Sequence, residues 1–421
     1  MSGSPQHHAL PKGREFITLL ALAAVQFTHI LDFMIMMPLG AQLMRVFQIS
    51  PAQFSHLLAS YGLSAAVSGL AGGFVLDRFD RKRALLVLYA CFGLATLACG
   101  FAPSHHALLA ARIAAGAFGG LSGAMVSAMV GDVIPPSRRG RATSIVMASF
   151  PLASVLGVPA GLLLAGHYGW HAPFFLLGAC ALLNLVVASF ALPHLRTAVR
   201  HNNPLQQMRE IVTHGIHLRA FALSGILVMA GGCVIPFLAP SMVANLGISE
   251  TDLFKAYIVG GLATLVTTPL VGMLSDRLDR LYLLAGLSVA GAIVVLVLTN
   301  LGPSSLIGAS IIMALFMVTM SARFSPAMAM VTNAVEARYR GGFMSVSSAL
   351  QQAASGFANI LAGVFVTVDA GGHLLGYPTL GFISVGFFVL TVVFAARLRA
   401  AAPHVARSIA AKVNPPAEIA A

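Results

Sequence analysis

The sequence predicts an all-α membrane protein with twelve transmembrane helices in two pseudo-symmetric six-helix bundles. Three observations predict it. Hydrophobic residues make up 58% of the 421 and charged residues only 9%, against roughly a quarter charged in a soluble domain. Such a chain cannot cover a water-facing surface, so lipid must be its solvent. The apolar residues gather in runs near the length that crosses a bilayer, about 20 residues each. A short charged knot also recurs. Gly73-Phe-Val-Leu-Asp77-Arg78-Phe-Asp80-Arg81-Lys82-Arg83 returns about 200 residues later as Gly272-Met-Leu-Ser-Asp276-Arg277-Leu-Asp279-Arg280. Gly, Asp, Arg, Asp and Arg keep their mutual spacing, and Ile49-Ser50 and Ile248-Ser249 precede the two knots by the same distance. A period this long describes two copies of one half-molecule rather than a solenoid.

The spans follow in order. The first six lie over 16–38, 54–76, 84–101, 107–134, 142–165 and 172–195. The second six lie over 220–243, 254–275, 281–300, 305–332, 342–368 and 380–397. The longest polar connection separates the sixth from the seventh and holds Asn202-Asn203-Pro204 and Gln206-Gln207. The domains are thus an N-terminal bundle over 1–195, a cytoplasmic linker over 196–218, and a C-terminal bundle with a cytoplasmic tail over 219–421. The basic residues test this count. With the N-terminus inside, nearly all of them fall in alternate connections, among them Arg78, Arg81, Arg138, Arg139, Arg277, Arg280 and Arg399. That is the positive-inside pattern, and it places both termini in the cytoplasm. The polar segment Met1–Glu15 and the run behind it read as a retained first span rather than a signal peptide. An integral multi-pass protein of a bacterial inner membrane is expected.

Several function classes drop out. The formal charge of +12 is dealt out in small groups rather than one patch, so no nucleic-acid partner is expected. Cys91, Cys99, Cys180 and Cys233 all lie in apolar runs and read as packing residues. No Gly-rich phosphate loop ending in Gly-Lys-Ser or Gly-Lys-Thr appears, and no His-Glu-x-x-His or Cys-x-x-Cys. The expectation is a non-enzyme with no metal and no cofactor. Its partners would be a small-molecule substrate, protons and membrane lipid, and two fused halves would let it work as a monomer.

Asp32 is the acid that lies well inside a span. A charge there costs on the order of 3 kcal/mol, so Asp32 must face a cavity, pair, or carry a proton. His29, three residues earlier, shares its helical face. Arg112 lies at a similar depth in the fourth span, counting about 1.5 Å of rise per residue. It would tune the protonation of Asp32, which burial and a neighbouring cation push in opposite directions. Phe33, Met34, Met36 and Met37 flank Asp32, and Met313, Met317 and Met320 share one face of the tenth span. Flexible thioethers suit a cavity for varied apolar ligands, or ordinary packing. Arg323 needs a partner or water. Gln26, Gln351, Gln352 and Asn359 complete the substrate-binding candidates. At the knots, Asp77 and Asp276 can face a helix N-terminus, and the arginines beside them can pair with Asp132. Such pairs would latch one arrangement of the halves; a plain cytoplasmic charge anchor is the other reading.

These residues carry a resemblance. The first knot resembles the signature loop of the major facilitator superfamily between its second and third helices, and the second knot lies where that superfamily repeats it. Where the family usually has Gly, this chain has Asp80 and Asp279, and Asp is among the residues that tolerate a left-handed backbone. Arg112-Ile-Ala-Ala-Gly116-Ala-Phe-Gly-Gly120 resembles the family's fourth-helix motif, and its small residues permit close helix approach. Gly157-Val-Pro159-Ala-Gly161 resembles the fifth-helix motif of its antiporters, expected to bend the helix and pack against the other half. Gly169-Trp170 and Phe174 are similar to proton-coupled efflux proteins of the arabinose-efflux-permease type. The resemblance implies proton-coupled antiport of a small apolar or amphipathic molecule by alternating access, with Gly73, Asp77, Arg78, Arg81, Asp132, Gly272, Asp276, Arg277 and Arg280 as the conformational switch. Proton symport or uniport of a sugar, amphiphile or lipid is the alternative within transport; a non-transporting membrane sensor is the alternative outside it.

Overall fold

In the computed structural model, the structure describes residues 12–75, 79–135, 138–193, 204–336 and 339–405. In chain order the helices are α1 (Lys12–Ile35), α2 (Gly40–Phe47), α3 (Pro51–Val75), α4 (Arg81–Gly100), α5 (His105–Val133), α6 (Arg139–Met147), α7 (Ser149–Leu152), α8 (Val158–Tyr168) and α9 (Ala172–Ala191). They continue with α10 (Pro204–Thr213), α11 (Gly215–Gly232), α12 (Leu238–Ala244), α13 (Leu253–Arg277), α14 (Arg280–Asn300), α15 (Leu306–Asn333), α16 (Arg340–Phe365) and α17 (Tyr377–Ala401). A two-residue hairpin, β1 (Thr367–Val368) with β2 (Leu374–Leu375), lies between the last two helices.

Among the described residues, ten helical segments are long and apolar enough to cross a membrane. The helices α3 and α16 are just as long, at 25 and 26 residues, but carry more serine, glutamine and asparagine. Counting them gives the twelve predicted spans, in the predicted places. Large apolar side chains such as Phe190, Val67 and Ile307 are exposed on the outsides of these helices, as lipid-facing positions require. Of the linker expected over 196–218, residues 204–213 form α10 and the start lies outside the described residues.

The chain forms two compact units. The first takes Met1–Met36 and Ser60–His201, the second Met37–Ala59 and Asn202–Ala421. The core of the first is built by Leu22, Val25, Tyr89, Phe92, Met125 and Met129, all buried. It joins α1, α4 and α5. The core of the second uses Leu223, Leu227, Leu284, Met330, Phe343 and Leu398 from α11, α14, α15, α16 and α17. The short segment 37–59 packs within the second unit. There Phe54 meets Phe237 edge-on at 6.1 Å between ring centroids, and Arg45 donates twice to Glu250, at 2.7 and 3.0 Å.

The structure corrects the reading of Asp80 and Asp279. Neither has a left-handed backbone: φ is −59° at Asp80 and −64° at Asp279. Each is the N-cap of the helix that follows. Asp80 accepts from the Arg83 amide, and Asp279 from those of Leu281 and Tyr282. A carboxylate there satisfies amides that have no partner inside the helix.

The fifth span is interrupted at the Gly-Pro segment, as expected, and the interruption takes the form of a wider turn. Ala153–Gly157 form one π-helical turn between α7 and α8. Pro159 lacks the amide that would bond the carbonyl four residues back, and a wider turn accommodates the loss. Within the first unit its flanking glycines make room for α1. A Cβ at Gly157 would strike Leu31, and one at Gly161 would strike Ile35, both on α1.

Candidate functional site

Asp32 lies one turn from the end of α1 and is fully buried, as is Arg112 on α5. The Arg112 Nη1 donates to Asp32 Oδ2 at 2.8 Å and to the Asp32 carbonyl at 3.3 Å. The depth arithmetic of the sequence thus becomes an ion pair inside the first unit. Its second wall comes from α3, where the Tyr61 ring lies under the guanidinium, 4.3 Å from centroid to Cζ. The Tyr61 hydroxyl in turn is bonded to His29 Nδ1 at 2.7 Å. Buried Thr96 and Cys99 of α4 close the enclosure, within electrostatic reach of Asp32 and Arg112 respectively.

Glycines on α5 make room for this. A Cβ at Gly116 would collide with Ser64 and the Tyr61 backbone, and one at Gly120 with the Ala65 backbone. Without side chains there, α5 lies directly on α3, which carries Tyr61 to Arg112. Gly119 faces the Tyr61–His29 bond, where a Cβ would stand 2.7 Å from both the hydroxyl and Nδ1. The fourth-helix motif therefore positions the arginine and the aromatic ring together.

The pair is incompletely satisfied. Asp32 Oδ1 and the Nε and Nη2 of Arg112 have no hydrogen-bond partner among the described residues. Attraction between opposite charges is strong in a low-dielectric interior, yet their desolvation is also costly. Such a pair is held together by its partner charge, and neutralising one member releases the other. That is the chemistry of a proton-sensitive contact.

The remaining candidates fall into two groups. In the first unit, Phe33 packs against Tyr61 at 5.6 Å, Met36 is fully buried, and Gln26 presents a buried Oε1 without a partner. In the second unit, Arg323 is buried with its guanidinium over Phe388 at 4.1 Å. Its Nη2 donates to the Met320 sulfur at 3.0 Å. Met317 fills the space beside Gly260. Gln351 donates to Ser347 at 3.2 Å, Gln352 is half-buried, and Asn359 is buried with its Nδ2 unbonded.

The two knots are wired differently. Arg81 reaches Asp132 through Nε at 3.2 Å, the expected cross-helix pair. In the second copy, Arg280 donates to the Val405 carbonyl at 3.2 Å, and Asp279 pairs with Arg399 at 3.2 Å. The reason lies in the sequence: α5 has Asp132 in its last turn, whereas α15 ends Met330-Val331-Thr332-Asn333 without an acid. Asp276 and Arg277 close α13, and Gly272 lies one turn before them. Gly73 lies in the last turn of α3, and Asp77 and Arg78 lie outside the described residues.

Tyr61, Thr96 and Cys99 were not among the sequence candidates. Tyr61 gave one weak signal, a phenol inside a span whose other polar residues are mostly serines; Thr96 and Cys99 gave none.

Comparison with known proteins agrees with this architecture. Over 276 residues the chain is 26% identical to YceJ, an uncharacterised MFS-type transporter of Bacillus subtilis, covering 64% of this chain and 70% of that one. It is 28% identical over 266 residues to a chloramphenicol efflux pump of Mycobacterium tuberculosis, covering 60% of this chain and 62% of the pump. It is 24% identical over 296 residues to multidrug resistance protein 2 of Bacillus subtilis, covering 68% and 72%. Among solved structures, a bacterial homologue of the human lysosomal transporter Spinster, inward-facing and occupied, matches with a TM-score of 0.76 at 17% identity over 95% of this chain and 100% of that one. A D-xylose–proton symporter matches at 0.73 and 16% identity, over 91% and 97%. The family model for the Major Facilitator Superfamily matches residues 22–230 and again 220–421, and the chain belongs to that superfamily of membrane transporters.

Proposed function

We propose that this transporter exports a small apolar or amphipathic organic molecule in exchange for protons, by alternating access. The observation that carries this reading is the buried Asp32–Arg112 pair. In the proposed cycle a proton adds to the Asp32 carboxylate, the ion pair loses its negative member, and Arg112 is freed to change partners. Loss of the proton restores the pair. Arg112 tunes the exchange, and His29, joined to the site through Tyr61, belongs to the same coupling group. Gln26, Phe33 and Met36 would meet substrate from the first unit, and Met317, Met320, Arg323, Gln351, Gln352 and Asn359 from the second. The charged knots, with Arg81–Asp132 as their clearest contact, would bias one conformation.

Export is favoured over uptake on two grounds. The Gly157-x-Pro159-x-Gly161 segment resembles the antiporters' fifth-helix motif in a shortened form, and of the relatives named above one is a chloramphenicol efflux pump and another a multidrug resistance protein. The proton gradient would be the energy source, with no cofactor, and one chain would suffice. We place it in a bacterial inner membrane with both termini cytoplasmic.

Everted membrane vesicles test this, with chloramphenicol as the probe and an acidified lumen. Wild-type vesicles are expected to accumulate the probe and leak protons as they do so. Asp32→Asn should lose accumulation by at least tenfold while remaining folded, at a lower unfolding temperature because Arg112 loses its counter-charge. Full proton-driven accumulation by that variant would refute Asp32 as the proton carrier, and probe movement without proton leakage would refute antiport.

A further inference from the structure

We infer that Tyr61 is a positioning residue that sets how readily Asp32 takes up a proton, by supporting the charge of Arg112 once the carboxylate is neutralised. The inference rests on the reading of Asp32 as the proton carrier and adds a residue to it.

Protonating Asp32 adds one positive charge to the enclosure. The neutral carboxyl then no longer balances Arg112, which stays buried with a charge it cannot give up. A buried cation in this position needs another source of negative potential, and the face of an aromatic ring supplies one. Tyr61 presents that face: its ring lies 4.3 Å from the Arg112 Cζ, and the ring is itself fully buried. Arg112 and Tyr61 both lack solvent-accessible surface.

The ring is held for this task. Its hydroxyl is fixed by His29 at 2.7 Å, and the two rings lie nearly parallel, with 19° between their planes. Gly119 leaves the space in which that bond sits. The titratable and charged groups facing Asp32 and Tyr61 are His29 on α1, Cys99 on α4 and Arg112 on α5. None of them is a second carboxylate, so beside the Asp32 carbonyl at 3.3 Å the ring is the contact left to the cation.

The sign follows. The ring contact is already made with the pair intact. What counts is how much it strengthens once the carboxyl is neutral and the guanidinium settles on the ring. The larger that gain, the higher the pH up to which Asp32 keeps its proton. A weakened ring makes Arg112 depend on the carboxylate, and the proton is released at lower pH.

The test keeps the shape and changes the ring's charge distribution. Tyr61→Phe is compared with difluoro- and trifluorophenylalanine at the same position in the full-length protein, since fluorine drains the negative face at nearly constant volume. Asp32 is followed by the infrared carboxyl C=O band, identified by its loss in Asp32→Asn, across a pH titration without any transported compound. The Phe variant, which keeps the ring and loses the His29 bond, sets the baseline, and the midpoint is expected to fall from it with each step of fluorination. The trifluoro form should fall by about one pH unit, a tenfold change in proton affinity. Midpoints that ignore fluorination would overturn the proposal. The outcome separates from that of the transport reading: a band that shifts while vesicles show no proton-linked flux supports Tyr61 and rejects antiport. Proton-linked flux with an unmoved band does the reverse.

Discussion

Each unit buries one arginine deep in an apolar helix, and the two are satisfied in opposite ways. Arg112 has a carboxylate at 2.8 Å, a backbone carbonyl and an aromatic face. Arg323 has an aromatic face and a thioether sulfur, with Nε and Nη1 unbonded and no carboxylate among the described residues. The difference teaches where a proton can act. In the first unit one proton converts a matched pair into a lone cation, so the local energy depends on protonation. In the second, no carboxylate among the described residues pairs with Arg323, so no proton can switch that contact.

Substitution by methionine, similar in length and uncharged, should break this comparison open. Arg112→Met leaves Asp32 buried without its counter-charge, and breaking a buried pair costs about 3–5 kcal/mol. The lower end is expected, because Asp32 can take a proton and shed its charge. Arg323→Met removes a cation that has no counter-charge to lose. It gives up a ring contact worth about 2 kcal/mol but recovers several kcal/mol of desolvation, so a gain of about 1–2 kcal/mol is expected. Thermal unfolding in one detergent, followed by a thiol-reactive dye as buried Cys99 and Cys233 become exposed, reads both. Equal losses in the two variants would mean that Arg323 has a counter-charge after all.

The contrast between the units also marks what the sequence reveals. Span positions were legible because lipid forces each helix to be apolar for a fixed length, so α4 over Arg81–Gly100 appears as the run 84–101. The Asp32–Arg112 pair was legible because an acid and a base inside oil have few choices, and equal depth on two helices narrows them further. Tyr61 was not, because its role depends on how α3 lies against α5, a contact between residues about 50 positions apart that glycines permit but do not specify. Arg323 over Phe388 is hidden for the same reason. The capping role of Asp80 and Asp279 was masked by the family pattern, which directs attention to a glycine turn. The grouping of 37–59 with the second unit depends on packing by Phe54 and Gly40, whose partners Phe237 and Pro240 lie far along the chain.

The paired knots offer a smaller effect and a finer comparison. Asp80 and Asp279 both cap their helices, through one amide and two respectively, and replacing such a cap with alanine costs about 1 kcal/mol. Asp279 additionally pairs with Arg399 at 3.2 Å. Asp279→Ala should therefore lower the unfolding temperature more than Asp80→Ala does. Combining Asp279→Ala with Arg399→Ala should add little to the first change, while Asp80→Ala with Arg399→Ala should be additive. Additive losses for Asp279→Ala with Arg399→Ala would mean that the Arg399 contact contributes nothing measurable.

The smallest effect expected is at Arg45–Glu250, where segment 37–59 meets the remainder of the second unit. Both oxygens of Glu250 are engaged, at 2.7 and 3.0 Å, and the contact holds the Arg45 guanidinium above its usual range. A raised arginine contributes its stability throughout the pH range below the unfolded value, so the pair should not weaken at mildly alkaline pH. Salt is the sharper probe, since Arg45 is 62% exposed at its side chain and the screening length shrinks from about 8 Å at 0.15 M to about 3 Å at 1 M. Exposed pairs are worth at most about 1 kcal/mol. Arg45→Glu should cost up to that amount at low salt, little at 1 M salt, and be rescued by the swap Arg45→Glu with Glu250→Arg. A loss that ignores salt would show that Arg45 acts through its packing instead of its charge, as the buried Arg112 cannot.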